Sequence, residues 1–147
     1  MSSQNWDHRF LDLSKLVSTW SKDPSTKVGS VIVDEENRVI SIGFNGFPKG
    51  ISDNNRLDNR DIKYNIIVHA ECNAIMFANK SLKNCTIYTF PFQPCSRCAG
   101  MIIQSGIKRV ISIPMIDCER WKNDFDLAQK LFSEANIEFG LILDYAQ

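Results

Sequence analysis

Two short segments carry the groups in this chain that are best suited to chemistry. One is His69-Ala70-Glu71; the other is Pro94-Cys95-Ser96-Arg97-Cys98. Together they offer one imidazole, two thiolates and one carboxylate. Zinc takes four tetrahedral N/S ligands in structural sites, whereas catalytic sites use three protein ligands and leave a position for water. Three ligands plus a spare carboxylate, Glu71, is the composition of a hydrolytic site. Around a helix, positions three apart lie about 60° from each other, so Cys95 and Cys98 can reach one metal. If Cys95 opens a helix, the positive end of the macrodipole favours its thiolate. His69 and Glu71, two apart, diverge. At a helix entrance that divergence lets the imidazole meet a metal while the carboxylate reaches the water the metal activates. A structural zinc knuckle is the alternative, since Cys72 lies three residues beyond His69 and could supply a fourth sulfur. Glu71 and the wide gap between the half-sites argue against it. A redox C-x-x-C would leave the His-x-Glu unused.

These segments need a frame. Trp6, Phe10, Leu13, Leu16, Val17 and Trp20 recur at threes and fours, which predicts an amphipathic helix ending near Lys22, stopped by Asp23-Pro24-Ser25. Residues 28–34 and 38–43 flank Glu35-Glu36-Asn37 and read as a β-hairpin. Residues 44–64 are too polar for an element, and a loop of that length is usually functional. Helices are predicted over 70–79, 95–105 (closed by Gly106) and 124–135, and strands over 86–90, 109–113 and 137–143. Strands alternating with helices imply an α/β sandwich with a largely parallel sheet. Both half-sites then open helices just outside the sheet, where such folds place ligands.

At 147 residues the chain is expected to form one domain. It balances 17 basic against 17 acidic residues and shows no basic run, which disfavours polynucleotide and membrane surfaces while permitting a local phosphate pocket. The sequence beginning Met1-Ser2-Ser3-Gln4-Asn5 has no leader-like pattern, and no stretch approaches membrane-spanning length. With two cysteines committed to a metal, Cys72, Cys85 and Cys118 are expected as free thiols in a reducing compartment, the cytoplasm.

H-x-E … P-C-x-x-C is the general signature of the zinc deaminases that act on nucleobases. Beyond it stand Ser21-Lys22-Asp23-Pro24-Ser25-Thr26-Lys27-Val28-Gly29 and Gly43-Phe44-Asn45-Gly46-Phe47-Pro48-Lys49-Gly50. His69-Ala70-Glu71-Cys72-Asn73-Ala74-Ile75 and Ile103-Gln104-Ser105-Gly106-Ile107-Lys108 complete the set. Over nearly its whole length the chain resembles the deoxycytidylate (dCMP) deaminase family. The resemblance implies a three-layer α-β-α sandwich around a five-stranded mixed sheet and assembly as a homohexamer. It also implies conversion of dCMP to dUMP, activation by dCTP and inhibition by dTTP, with Mg2+ on the effector triphosphate.

Carried over residue by residue, the resemblance makes His69, Cys95 and Cys98 the Zn2+ ligands and Glu71 the proton shuttle. Ala70 belongs to the same substrate-facing segment. Asn45 matches an asparagine beside the nucleoside, although Asn-Gly is also a common turn. Ser21 and Lys22 match a segment near the 5′-phosphate, or else form a solvated helix end. Phe92 packs on the base or in the core. Asn45, Gly46, Phe47, Pro48, Lys49 and Gly50 resemble the allosteric nucleotide site, the alternative being a plain surface loop. One departure stands out: many relatives have a tyrosine near Pro114-Met115-Ile116-Asp117, and here the nearest aromatic is Trp121. Two rivals remain at this stage. One is another superfamily deaminase acting on tRNA, free cytidine or guanine; the other is a non-enzymatic zinc-stabilised nucleotide-binding module.

Overall fold

The computed structural model describes residues 3–116 and 119–146, so Asp117 and the expected free thiol Cys118 lie outside the described residues. The chain begins with α1 (Ser3–Ser18), followed by the hairpin β1 (Gly29–Val33) and β2 (Val39–Phe44). Then come α2 (Arg60–Ile66), α3 (Ala70–Met76), β3 (Thr86–Phe90), α4 (Ser96–Gln104), β4 (Arg109–Ser112), α5 (Lys122–Glu134) and β5 (Glu138–Leu141). None of the helices among the described residues is long and apolar enough to cross a membrane.

The sheet order is β2-β1-β3-β4-β5. β1 pairs antiparallel with both β2 and β3, while β3/β4 and β4/β5 are parallel. The sheet is therefore mixed, and the largely parallel arrangement expected from strand–helix alternation holds only for its second half. The reason lies in the hairpin: it reverses the chain before the first crossover, so β3 enters beside β1 running the opposite way. Faces alternate along each strand. Val31, Val33, Tyr88, Phe90, Ile111 and Ile113 pack with Phe10, Leu11 and Val17 of α1. Ile32, Ile87 and Val110 face Ala74 of α3, Ala99 and Ile102 of α4, and Ala128 and Phe132 of α5. The result is the expected α-β-α sandwich.

Two expectations shift in detail. The buried stripe of α1 is Asp7, Phe10, Leu11, Ser14, Val17 and Ser18, whereas Leu16 is 54% and Trp20 47% exposed. The helical period was right, but polar side chains occupy the inward positions. Small serines let β1 approach closely: a Cβ on Gly29 would collide with the Ser14 carbonyl and the Ser18 amide. The hydroxyls of Ser14 and Ser18 are satisfied inside α1, donating to the carbonyls of Phe10 (2.9 Å) and Lys15 (2.6 Å). The second shift concerns residues 44–64, read as a loop. They contain a 3-10 turn (Asn54–Asp58) and the start of α2, which Asn59 caps by accepting from the Ile62 amide at 3.2 Å. The buried residues of this stretch are Asn45, Leu57 and Lys63, too few and too far apart to leave a periodic signal.

Candidate metal centre and active site

His69 is the N-cap of α3 and Cys95 the N-cap of α4, and neither side chain makes a capping hydrogen bond. Both are thereby free to face outward from adjacent helix ends. Two contacts fix those ends. A Cβ on Gly43 would strike the Ala70 carbonyl and the Ala74 amide, so β2 and α3 touch backbone to backbone. Asp124, from the first turn of α5, accepts from the Ser96 amide (3.0 Å) and the Ser96 hydroxyl (2.6 Å), holding the start of α4 by a carboxylate.

The His69 Nδ1 lies 3.5 Å from Cys95 Sγ and 3.3 Å from Cys98 Sγ, and the three ligand atoms all lie within 4.8 Å of one another. A tetrahedral zinc with Zn–N of ~2.0–2.1 Å and Zn–S of ~2.3 Å would hold nitrogen and sulfur about 3.5 Å apart. The donor set and spacing fit that ion. Cys72 is not part of the converging group among the described residues, so the four-ligand knuckle lacks its fourth sulfur. The three groups also polarise one another. Hydrogen bonding from Cys98 and from His69 lowers the Cys95 thiol, while its bond to Cys95 and burial raise Cys98. The imidazole of His69 is raised, chiefly by its hydrogen bond to Cys95.

Beside this triad Glu71 is 4% exposed. Burial pushes its carboxyl up to about 7, against a smaller opposing pull from His69. Both residues line a cavity of about 400 Å³, together with Ala70, Cys95, Asn45 and Phe92. Its wall includes a run of rings. Phe92 and Phe125 have centroids 5.9 Å apart, Phe125 and Trp121 6.5 Å, and Trp121 and Tyr64 6.5 Å. Trp121 is thus a wall residue.

Of the other expected site residues, Asn45 lines the cavity and the rest lie outside its lining. Ser21 is buried outside the cavity lining, donating to the Asn45 carbonyl at 2.8 Å and accepting from the Asp23 amide at 3.2 Å. Lys22 also stays outside; its side chain is 79% exposed and pairs with Asp53 at 3.1 Å. Asn45 does line the cavity, but its amide braces the 23–28 segment. Its Oδ1 accepts from the Val28 amide at 2.9 Å, and its Nδ2 donates to the Thr26 carbonyl at 2.9 Å and to Asp23 at 3.5 Å. Gly46, Phe47, Pro48, Lys49 and Gly50 are absent from the cavity lining. Gly46 forms a bridge with Val68, Lys49 lies 4.7 Å over the Phe77 ring, and Arg56 lies 5.8 Å over Phe47.

Sequence reasoning missed the groups α2 contributes. Arg60, Lys63 and Tyr64 share one face of α2 and, with Ile67 just past its end, line the cavity. Lys63, 7% exposed at its side chain, pairs at 3.1 Å with Asp23, 3% exposed, and so ties α2 to the 23–28 segment. The only prior signal was a cation within a polar stretch, which ordinarily means solvent.

The model of the cytidine and deoxycytidylate deaminase zinc-binding region matches residues 4–113. The chain belongs to this family. A deaminase of Aliivibrio fischeri is 45% identical over 135 residues, covering 90% of each chain. The deoxycytidylate deaminase of Homo sapiens is 40% identical over 141 residues, 91% of this chain and 78% of that one. Among solved structures, the dCMP deaminase of cyanophage S-TIM5 in complex with dCMP and dUMP superposes with a TM-score of 0.72 at 21% identity, covering 97% of this chain and 99% of that one. At that identity the likeness establishes the shared fold. The family match and the convergent His/Cys/Cys set together mark this as a zinc-binding deaminase domain.

Proposed function

We propose that this chain hydrolyses dCMP to dUMP and ammonia. The observation that carries the reading is the buried Glu71 beside the converged His69, Cys95 and Cys98 on the lining of one cavity. The deoxycytidylate deaminases among its relatives, including the human enzyme at 40% identity, point to the substrate.

His69 Nδ1 and the sulfurs of Cys95 and Cys98 would hold zinc, whose Lewis acidity would make water a competent nucleophile near neutral pH. The remaining work falls to the chain itself. Glu71 takes a proton from the water that attacks C4 of the cytosine and delivers it to N3. It then carries the water's remaining proton, from the hydroxyl now on C4, to the amine; the C4–N bond breaks as the C4 carbonyl forms, and ammonia leaves. General acid–base work of this kind contributes roughly 10²–10⁴-fold. Phe92 and the rings behind it offer the base an apolar wall. Ala70, which opens α3, lines the cavity beside Glu71.

The test is turnover of dCMP by the zinc-loaded protein, followed by ultraviolet absorbance, with Glu71→Gln alongside. Conversion to dUMP by the parent, and a loss of at least 10²-fold in a variant that retains zinc, supports the assignment. Normal turnover by Glu71→Gln overturns the role of Glu71, and no turnover of dCMP by the parent overturns the substrate.

The family resemblance extends the proposal to regulation and assembly. In this reading dCTP activates and dTTP inhibits, each with Mg2+, through Asn45, Gly46, Phe47, Pro48, Lys49 and Gly50. The protein works as a homohexamer supplying dUMP for thymidylate synthesis. Indifference of the rate to both triphosphates would remove the regulatory part alone. A monomeric sedimentation coefficient would remove the assembly.

A further inference from the structure

Arg60 and Arg120 come from separate elements, α2 and the 3-10 turn Glu119–Trp121, yet both donate to one acceptor. Arg60 Nε lies 3.1 Å, and Arg120 Nη2 2.9 Å, from the Tyr64 hydroxyl oxygen. All three residues line the cavity that also holds His69 and Glu71. Each guanidinium rests against a ring, Arg60 at 5.3 Å from Tyr64 and Arg120 at 5.2 Å from Trp121.

Neither arginine forms an ion pair with a carboxylate among the described residues. The cavity's other charges do not relieve them. Lys63 and Asp23 neutralise each other at 3.1 Å, Asp58 lines the wall without pairing to either arginine, and Glu71 sits with the metal ligands. At the exposed rim of the cavity two guanidiniums thus converge on one hydroxyl oxygen, and neither is paired with a carboxylate among the described residues. A hydroxyl that accepts from two guanidiniums still has its own O–H to give. Planar arginine forks and a hydroxyl donor match the oxygens of a phosphate.

We propose that Arg60, Tyr64 and Arg120 form the clamp that reads the 5′-phosphate of the nucleotide, and so set the preference for a monophosphate over a free nucleoside. The inference rests on the deaminase reading above for the rest of the ligand. It also moves phosphate recognition away from Ser21 and Lys22, which lie outside the cavity lining. The clamp is held by two buttresses. The Lys63–Asp23 pair anchors α2, and the Tyr64–Trp121–Phe125 rings join α2 to the segment bearing Arg120.

The experiment compares kcat/KM for dCMP and for deoxycytidine in the parent, Arg60→Gln, Arg120→Gln and Tyr64→Phe, with folding of each variant checked by thermal melting. Losing a hydrogen bond to a charged group should cut the dCMP-to-deoxycytidine ratio roughly 10–100-fold in each arginine variant, with a smaller cut in Tyr64→Phe. An unchanged ratio, including an equal loss on both substrates, overturns the clamp. Calorimetric titration with inorganic phosphate gives a readout independent of turnover. Binding to the parent that disappears in the Arg60→Gln/Arg120→Gln double variant supports the clamp even if no cytosine nucleotide is turned over, in which case only the deaminase reading fails. Phosphate binding that survives in the double variant refutes the clamp.

Discussion

Gly43→Ala tests most directly how the fold sets the site. The added methyl would meet the Ala70 carbonyl on one side and the Ala74 amide on the other, both backbone atoms of α3. Flexible side chains can swing aside, but these cannot, so either α3 lifts from β2 or the strand bends. Overpacking a well-filled core costs about 1–3 kcal/mol. A rigid obstacle on two sides puts this variant near the upper end. With a urea m-value of about 2 kcal/mol/M, a loss of about 3 kcal/mol lowers the unfolding midpoint by roughly 1.5 M. Activity should fall further than stability alone explains, because α3 carries His69 at its N-cap and Glu71 in its first turn. A misplacement of about 1 Å can cost on the order of 10²-fold in rate. Gly46→Ala is the control: no atom lies within 4 Å of its Cβ position, so its stability should stay within about 0.5 kcal/mol of the parent. The assay is urea unfolding by circular dichroism, paired with dCMP turnover under conditions where each variant is fully folded. A Gly43→Ala protein whose midpoint matches the control, with undiminished turnover, would refute the claim that close β2–α3 contact positions the site.

Other perturbations separate the remaining parts of the structure. Lys63→Met strips the cation from the buried Asp23 and should cost about 3 kcal/mol, the low end for a broken buried pair because the Ser25 and Thr26 amides still donate to Asp23. Denaturant unfolding measures this, and a loss under about 1 kcal/mol would mean the pair is not a staple. Tyr88 donates to Asp7 at 2.6 Å, and burial first, then that bond, raises its phenol above the ordinary 10. A raised folded-state value means the protonated phenol favours the fold, so its contribution is complete below about pH 10 and declines as the pH rises further. The stability gap between the parent and Tyr88→Phe should therefore be flat from about pH 7 to 9 and narrow above about 10; a gap that widens would reverse the sign argued here. Zinc should be present at one ion per chain by elemental analysis, and Cys98→Ser or prolonged chelation should remove both the metal and dCMP turnover together. Full turnover by metal-free protein would eliminate the zinc reading.

The sequence by itself determined the elements and the chemistry that depends on near neighbours. The strand at Thr86–Phe90, the hairpin and the helix starts at Ala70 and Ser96 follow from local periodicity and from side chains a few positions apart. His69, Glu71, Cys95 and Cys98 were legible as a set because their types and short spacings are themselves the signal. Only the tertiary structure decided which distant groups join them. Residues 44–64 look like solvent-exposed loop, yet they pack into the turn that leads to α2, whose Arg60, Lys63 and Tyr64 line the cavity; burial of Lys63 depends on Asp23, 40 residues away. The amide of Asn45 looked available to a ligand, but the return of β2 beside the 23–28 segment engages it in bracing the backbone. Lys22, which the family resemblance placed near a phosphate, is drawn to Asp53. The physical reason is common to these cases. Helix and strand periods repeat over a few residues and are written in the chain. Pairings across the sheet and between loops depend on which faces meet, and burial then reassigns every polar group within reach.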